Sequence, residues 1–326
     1  MPAAAPWTRG VFTLSLDFEL IWGTLDLFGP QAFRRVCEIE RQLVIDRLLS
    51  LLEEMELSAT WCILGHLFLD SCRREGGVAH AEIHRPRHAW VQGDWFAQDP
   101  CRDERSDPSF YGRSLVEKIR ACRAPQEIGS HSFSHVIFGD SGCSPETAES
   151  ELKACVRVAK DMGIAPTSFA FPRNRVGHLD LLPRHGFRCY RGPGRWYERS
   201  ATPGALERLA HLADVLGALR PPVVLPERAG QGLWNIPGSM IYFPMHGLRR
   251  HIPVSLRVRR ARRGLAAAVE HRKVFHLWFH PTNLADEPER MFAGLREIFG
   301  EVSRLRRTGQ LEVLTMGQLA ARAEAA

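Results

Sequence analysis

A chain of 326 residues is longer than most single domains but within the range of one α/β barrel, so length alone does not force a division. With 44% hydrophobic and 25% charged residues it is neither disordered nor fibrous, and it has enough apolar surface for a large core. The net charge of +6 is almost wholly arginine, since Lys118, Lys153, Lys160 and Lys273 are the lysines, and 37 acidic residues offset it. The balance therefore gives no argument for a nucleic-acid partner.

Residues 1–10 read as an N-terminal tail without the basic segment and apolar run of a secretion signal. Val11 to Leu16 is a short run of strand formers that ends on Asp17 and Glu19. Apolar residues from Phe33 to Met55 recur at helical spacing, and Ser58 to Leu64 is again strand-like, which makes a β-α-β unit. The rhythm then breaks between residues 73 and 110, where His80, His84, His88, Trp90, Trp95 and Phe96 are scattered among charges. A loop of this length is read as a lid or a substrate-binding wall, or as aromatic caps on the core.

Alternation resumes with a helix near Tyr111 to Ala121, a strand at Glu127 to Ser130 and a helix from Pro145 to Met162. Strands follow at Thr167 to Phe171 and Phe187 to Tyr190, with a short helix from His178 between them. Leu206 to Leu219 reads as a helix, Leu233 to Phe243 as irregular, Lys273 to Phe279 as a strand, Met291 to Leu305 as a helix and Leu311 to Leu314 as a last strand. Residues 321–326 read as a tail. This order predicts α/β architecture with a parallel sheet. Because Asp17, His131, Pro172 and His280 each follow a predicted strand, a (β/α) barrel in a single domain over residues 11–320 is favoured over an open sheet.

The eight cysteines form no CxxC pair and no regular framework, so reduced thiols in a cytoplasmic protein are expected, and no stretch approaches a membrane span. Phosphate-cradling glycine loops and nucleophile elbows are absent.

Three segments carry chemistry. His131-Ser132-Phe133-Ser134-His135 places two imidazoles four residues apart, on one face if the segment is helical, where both can bind one divalent cation; Gly129 permits close backbone approach. Asp17 and Glu19, two residues apart, project from the same side of an extended strand, so that one can bind metal while the other acts as base. Phe275 to Phe279 ends in His280-Pro281, which puts His280 at a strand end, whereas His276 reads as a core histidine or a surface one.

These segments, in this order, resemble the polysaccharide deacetylase (NodB-type carbohydrate esterase) superfamily from about Val11 to Leu319. The resemblance implies a distorted (β/α) barrel and a metal-dependent hydrolase that removes the acetyl group from an N-acetylated amino sugar by cleaving a linear amide. It further implies Asp17 as base, Glu19, His131 and His135 as metal ligands, and His280 as acid. Zinc is the default cation, with cobalt, nickel or iron also compatible with oxygen and nitrogen ligands. The first motif departs from the family's adjacent aspartates, leaving open which acid is ligand and which is base. The family's third motif sets an arginine ahead of a Pro-aromatic pair, whereas here Arg173 and Asn174 follow Pro172. Arg173 is expected either to orient the base or to bind substrate. The family's Asp-Trp motif has no equivalent, and Arg191 to Trp196 and Trp234 to Pro237 are candidates to line the pocket, so Trp95, Asn174 and Trp234 are the expected substrate contacts.

Seven arginines between Gly247 and Gly264 (Arg249, Arg250, Arg257, Arg259, Arg260, Arg262 and Arg263) suit either a solvated helix face or a peripheral membrane contact, or a lipid-linked or nucleotide-linked sugar. A non-catalytic sugar-binding protein and a metal-free cyclic-amide hydrolase are the competing readings of the same fold.

Overall fold

The computed structural model describes residues 7–25, 30–194, 206 and 220–325. The predicted helix Leu206 to Leu219 and the pocket candidates near Trp196 lie outside the described residues, apart from Leu206 itself. Strand β1 (Gly10–Phe18) is buried along its whole length. It pairs in parallel with β2 (Thr60–Ile63) on one side and with β11 (Val274–Phe279) on the other, and at its start with β12 (Leu311–Val313). A strand covered on both faces needs a nearly continuous apolar run. Val11, Phe12, Leu14, Leu16 and Phe18 supply it, each buried side chain contributing about 1.5–3 kcal/mol. Its polar exceptions have partners: the Thr13 hydroxyl donates to the Leu314 carbonyl at 2.9 Å.

From β2 the sheet continues in parallel through β5 (Glu127–Ser130), β6 (Ser168–Ala170), β7 (Cys189–Arg191) and β9 (Trp234–Asn235), with β8 (Glu227–Arg228) antiparallel at the end. At the other end β10 (Met240–Ile241) lies parallel to β11. The segment read as irregular, Leu233 to Phe243, is what closes the sheet. Its first half pairs with β7; then Gly238 N–H donates to Gly192 O at 3.1 Å and Ser239 N–H to His276 O at 2.8 Å, handing the chain over to β11. The Pro237-Gly238 punctuation that hid a strand from the sequence marks this crossover. The result is the expected distorted (β/α) barrel.

Helices cover the outside. The predicted helix Phe33 to Met55 is α1 (Pro30–Ile39) and α2 (Ile45–Glu54), joined by one π-turn at Glu40–Val44. Then come α3 (Arg113–Arg120), α4 (Pro145–Asp161), the short α5 (Leu181–Arg184), α6 (Val254–His271), α7 (Pro288–Arg307) and α8 (Met316–Glu324). The segment read as a C-terminal tail begins inside α8, which Thr315 and Gln318 start with a capping box. Among the described residues no helix is long and apolar enough to cross a membrane.

The basic run does not form one solvent-facing stripe. Arg257 and Arg260 are buried on α6, Arg257 donating to the Arg249 carbonyl at 3.0 Å, while Arg262 pairs with Glu297 at 3.1 Å.

The insertion at 73–110 holds a small hairpin, β3 (Arg74–Glu75) with β4 (Val78–Ala79), and is otherwise built of turns. Its aromatic residues differ in burial. Phe96 is buried as a core cap, whereas Trp95 is half-buried.

Gly129 stands where β5 meets β6, and the close approach it permits is to that neighbouring strand. A Cβ there would lie 2.7 Å from the Ser168 backbone oxygen. Gly129→Ala should therefore cost about 1–3 kcal/mol of unfolding free energy by overpacking. A urea unfolding midpoint unchanged from the parent protein would contradict this account of the β5–β6 contact.

Candidate active site

The C-terminal end of β1 delivers two carboxylates into the barrel mouth. Asp17 and Glu19 are both buried. Immediately after them the chain turns sharply, with Leu20 at φ 47, a conformation that side chains other than glycine adopt only under constraint. Gly23 in the following turn makes room for Glu19, since a Cβ at that position would land on the Glu19 carboxylate.

His131 and His135 follow β5, but not on a helix as their spacing suggested. Ser132 and His135 have φ of 61 and 67, so the segment is a tight loop. Glu151 on α4 holds that loop from behind. Its buried carboxylate accepts from Phe133 N–H at 2.8 Å, Ser134 N–H at 2.9 Å and the Ser134 hydroxyl at 2.6 Å. The Ser132 hydroxyl accepts from His135 N–H at 2.9 Å. These bonds fix an irregular backbone that no hydrogen-bond ladder supports, and they bring the two rings to centroids 5.3 Å apart.

Both imidazoles face one oxygen: Glu19 Oε2 lies 3.1 Å from His131 Nε2 and 3.2 Å from His135 Nε2. His131 Nδ1 sits 2.9 Å from the Ala170 carbonyl, which can only accept, so the ring proton is on Nδ1 and a neutral His131 turns a lone pair toward Glu19. Glu19 Oε2 and His131 Nε2 are buried without a hydrogen-bond partner. Lone pairs gathered in this way suit a cation, and the three ligand atoms lie within 4.8 Å of one another. Burial disfavours a positive charge on His131, yet Asp17 and Glu19 together raise its proton affinity, and the same field favours a metal ion.

Asp17 has a different partner. Arg191, the last residue of β7, donates Nη1 to Asp17 Oδ1 at 2.7 Å and Nη2 to Oδ2 at 2.5 Å. Burial works against the Asp17 charge, but the guanidinium outweighs it and holds the carboxyl below its ordinary range. Arg191 is itself buried, packs over the Trp278 ring at 4.2 Å, and also donates to Ser15 Oγ and Asn174 Oδ1, each at 3.1 Å. His280, just past β11, puts Nε2 3.7 Å from Asp17 Oδ2 and 3.6 Å from Glu19 Oε1, with about a quarter of its side chain exposed.

Asp17, Glu19, His131, His135 and His280 thus converge as expected; Trp95 and Asn174 stand beside them, whereas Arg173 and Trp234 do not join the group. Arg191, not Arg173, clamps Asp17, while Arg173 is exposed at the rim, its guanidinium 5.6 Å from the Trp90 ring centre. Asn174 serves the Arg191 clamp. Trp95 stands at the mouth, its indole N–H on Ser134 Oγ at 2.8 Å, and lines a cleft with Trp22, Gln98 and His135. Trp234 does not reach the mouth. It pairs with Cys189 at the start of β7, packs half-buried against the small core cluster that includes Cys189 and Met316, and donates to Glu324 at 2.7 Å.

His276 is the satisfied core histidine: its Nε2 is 2.8 Å from Ser15 Oγ, and burial with Arg191 nearby pushes its pKa down to about 3. Sequence reasoning held Arg191 only as a pocket-lining candidate, not as the partner of Asp17, and missed Glu151 and Glu40. The last lies in the π-turn after α1, where burial and the Glu19 charge raise its pKa well above the ordinary range.

No family model and no curated protein matches the sequence. Solved structures do match in fold. A protein from Mycobacterium smegmatis named as a polysaccharide deacetylase superposes with a TM-score of 0.64 at 16% identity, over 99% of this chain and 94% of its own. The Puue allantoinase gives 0.61 at 10%, over 100% and 93%. A protein from Pseudomonas aeruginosa PAO1, also named as a polysaccharide deacetylase, gives 0.60 at 10%, over 97% and 91%. The chain has the polysaccharide deacetylase fold.

Removing Arg191 would strand a buried carboxylate. Arg191→Leu should therefore destabilise the protein by about 3–5 kcal/mol, whereas Arg173→Leu, at an exposed position, should change stability by about 1 kcal/mol or less. Denaturant unfolding checks both, and equal losses in the two variants would contradict the assignment of the clamp to Arg191.

Proposed function

We propose that the protein is a divalent-metal-dependent hydrolase that removes the acetyl group from an N-acetylated amino sugar, giving acetate and a free amine. One observation carries this reading. A carboxylate oxygen and two imidazole nitrogens converge at 3.1–3.2 Å, with Glu19 Oε2 and His131 Nε2 lacking any hydrogen-bond partner, beside a second carboxylate that an arginine keeps ionised. The fold it shares with proteins named as polysaccharide deacetylases supports the choice of amide bond.

Glu19, His131 and His135 would hold the cation, with zinc preferred for a site of one carboxylate and two imidazoles. When bound, it supplies Lewis acidity to the amide carbonyl and to the attacking water. Asp17 takes the proton from that water; Arg191 keeps it charged and aimed, and the Ser15 hydroxyl and Asn174 keep Arg191 in place. His280, the most exposed of the converging groups, gives a proton to the departing amine nitrogen. Trp95, fixed by Ser134, offers an aromatic face to the apolar side of a sugar ring next to His135. Arg173 at the rim suits an anionic group on the substrate, such as the phosphate of a lipid-linked or nucleotide-linked sugar.

A second reading, hydrolysis of a cyclic amide, draws on the fold shared with an allantoinase. Acetate release from a panel of N-acetylated sugars, with and without chelator, against ring opening of cyclic amides, separates the two. Asp17→Asn should retain metal and lose about 10²- to 10⁴-fold in turnover, and His131→Ala should lose metal and turnover together. Near-parental turnover in Asp17→Asn, or undiminished metal in His131→Ala, would remove the mechanism.

A further inference from the structure

A second group of ligand-type side chains lies behind the candidate active site, where the 73–110 insertion meets the barrel. His66 follows β2, Cys72 precedes the β3–β4 hairpin, His80 follows it, and Asp99 comes from the far side of the insertion. His66 and Asp99 are fully buried and His80 nearly so, with one ligand atom from each of the four residues within 4.8 Å of all the others.

Four of the six ligand-to-ligand separations are close to those of a tetrahedron, and all six lie within 4.8 Å. Zinc with Zn–N of about 2.0–2.1 Å, Zn–O of about 2.0 Å and Zn–S of about 2.3 Å spaces its nitrogen and oxygen ligands about 3.3 Å apart and sulfur from oxygen by about 3.5 Å. Here His66 Nε2 is 3.2 Å from His80 Nε2 and 3.1 Å from Asp99 Oδ2, His80 Nε2 is 3.0 Å from Asp99 Oδ2, and Cys72 Sγ is 3.5 Å from Asp99 Oδ2.

Hydrogen bonds alone do not account for this packing. His66 Nδ1 lies 3.1 Å from the Phe110 carbonyl and so carries the ring proton, leaving a lone pair on Nε2 facing the Asp99 carboxylate. A proton on His80 Nε2 serves only one of the two acceptors it faces, so lone pairs remain opposed in a buried position. Each of three ligands is also oriented from outside, as metal ligands are. Besides the bond at His66, Asp99 Oδ1 accepts from Cys101 N–H at 2.8 Å. The Tyr111 hydroxyl, which accepts from Arg102 N–H at 2.9 Å, has its proton to give to Cys72 Sγ at 3.1 Å. His80 and Cys101 have φ of 46 and 47, so backbone strain concentrates here as it does around the first site.

We propose that His66, Cys72, His80 and Asp99 bind a structural zinc ion that pins the insertion to the barrel. Four protein ligands leave no position open for water, so the site is closed and non-catalytic. Two histidines, a thiolate and a carboxylate select zinc over magnesium or calcium. The ion backs the active site directly: the His66 and His80 rings pack on Phe133, between His131 and His135, at centroid distances of 5.8 and 5.2 Å.

The test uses the full chain prepared under reducing conditions in cobalt-supplemented medium. Cobalt bound through Cys72 gives a thiolate-to-cobalt charge-transfer band in the near ultraviolet, which Glu19, His131 and His135 cannot produce because they offer no sulfur. The band therefore reports on this site whatever occurs at the first. It is expected in the intact protein and lost in Cys72→Ser; no band in the intact protein, or an undiminished band in the variant, overturns the proposal. Should Cys72→Ser fold poorly, a His131→Ala/His135→Ala double variant isolates the same site in zinc-grown protein. One equivalent of zinc is expected to remain bound after dialysis, and a zinc-free double variant overturns the proposal.

Discussion

Strand β1 carries two buried carboxylates to the barrel mouth, and the rest of the site follows from the need to compensate them. An uncompensated buried charge costs several kcal/mol, so each acid must meet a positive partner. Asp17 meets Arg191, whose planar guanidinium engages both of its oxygens from β7, several strands away around the barrel. Such a reach requires closure. The segment from Trp234 to Ile241, paired first with β7 and then with β11, draws the two sides together and sets Arg191 against Trp278 and Ser15. Glu19 has no arginine. It faces Nε2 of His131 and Nε2 of His135, the grouping on which the proposed metal site rests.

The proposed division of labour between the acids rests on these partners. Asp17 is saturated by a permanent cation that cannot transfer a proton, so it stays charged, fixed and able to accept one. Glu19 is placed where a carboxylate oxygen can enter a coordination sphere. The sequence left open which acid did which, because two carboxylates on one face of a strand look alike until their neighbours are known.

What the sequence disclosed was local. Strand runs, the acid pair, the histidine pair and His280 were all readable, because each is a short pattern tied to one element. Arg191 was not. It stands one residue past an apolar run, and only the barrel shows that it faces Asp17, so the motif-adjacent Arg173 drew the assignment. Trp234 was misplaced because Pro237 and Gly238 made its strand look like loop, hiding that it begins at the opposite end of the barrel. The spacing of His131 and His135 did not reveal a loop, because the hydrogen bonds that hold it come from Glu151 on a separate helix, distant in sequence. The cluster of His66, Cys72, His80 and Asp99 has no signature spacing, since its members come from separate turns of an irregular insertion.

Glu151 also ties the catalytic and binding sides of the site into one unit. The same carboxylate that fixes the backbone between His131 and His135 holds Ser134, and Ser134 Oγ accepts the Trp95 indole proton. A shift of that loop would move a proposed metal ligand and the aromatic wall of the cleft together. The loop therefore has to be rigid, and the structure braces it from two sides: Glu151 grips its amides, and His66 and His80 pack on its one apolar side chain, Phe133. A cleft wall built on an irregular insertion holds its position only as well as the insertion is anchored, and the buried histidine-aspartate cluster stands where the insertion meets that loop.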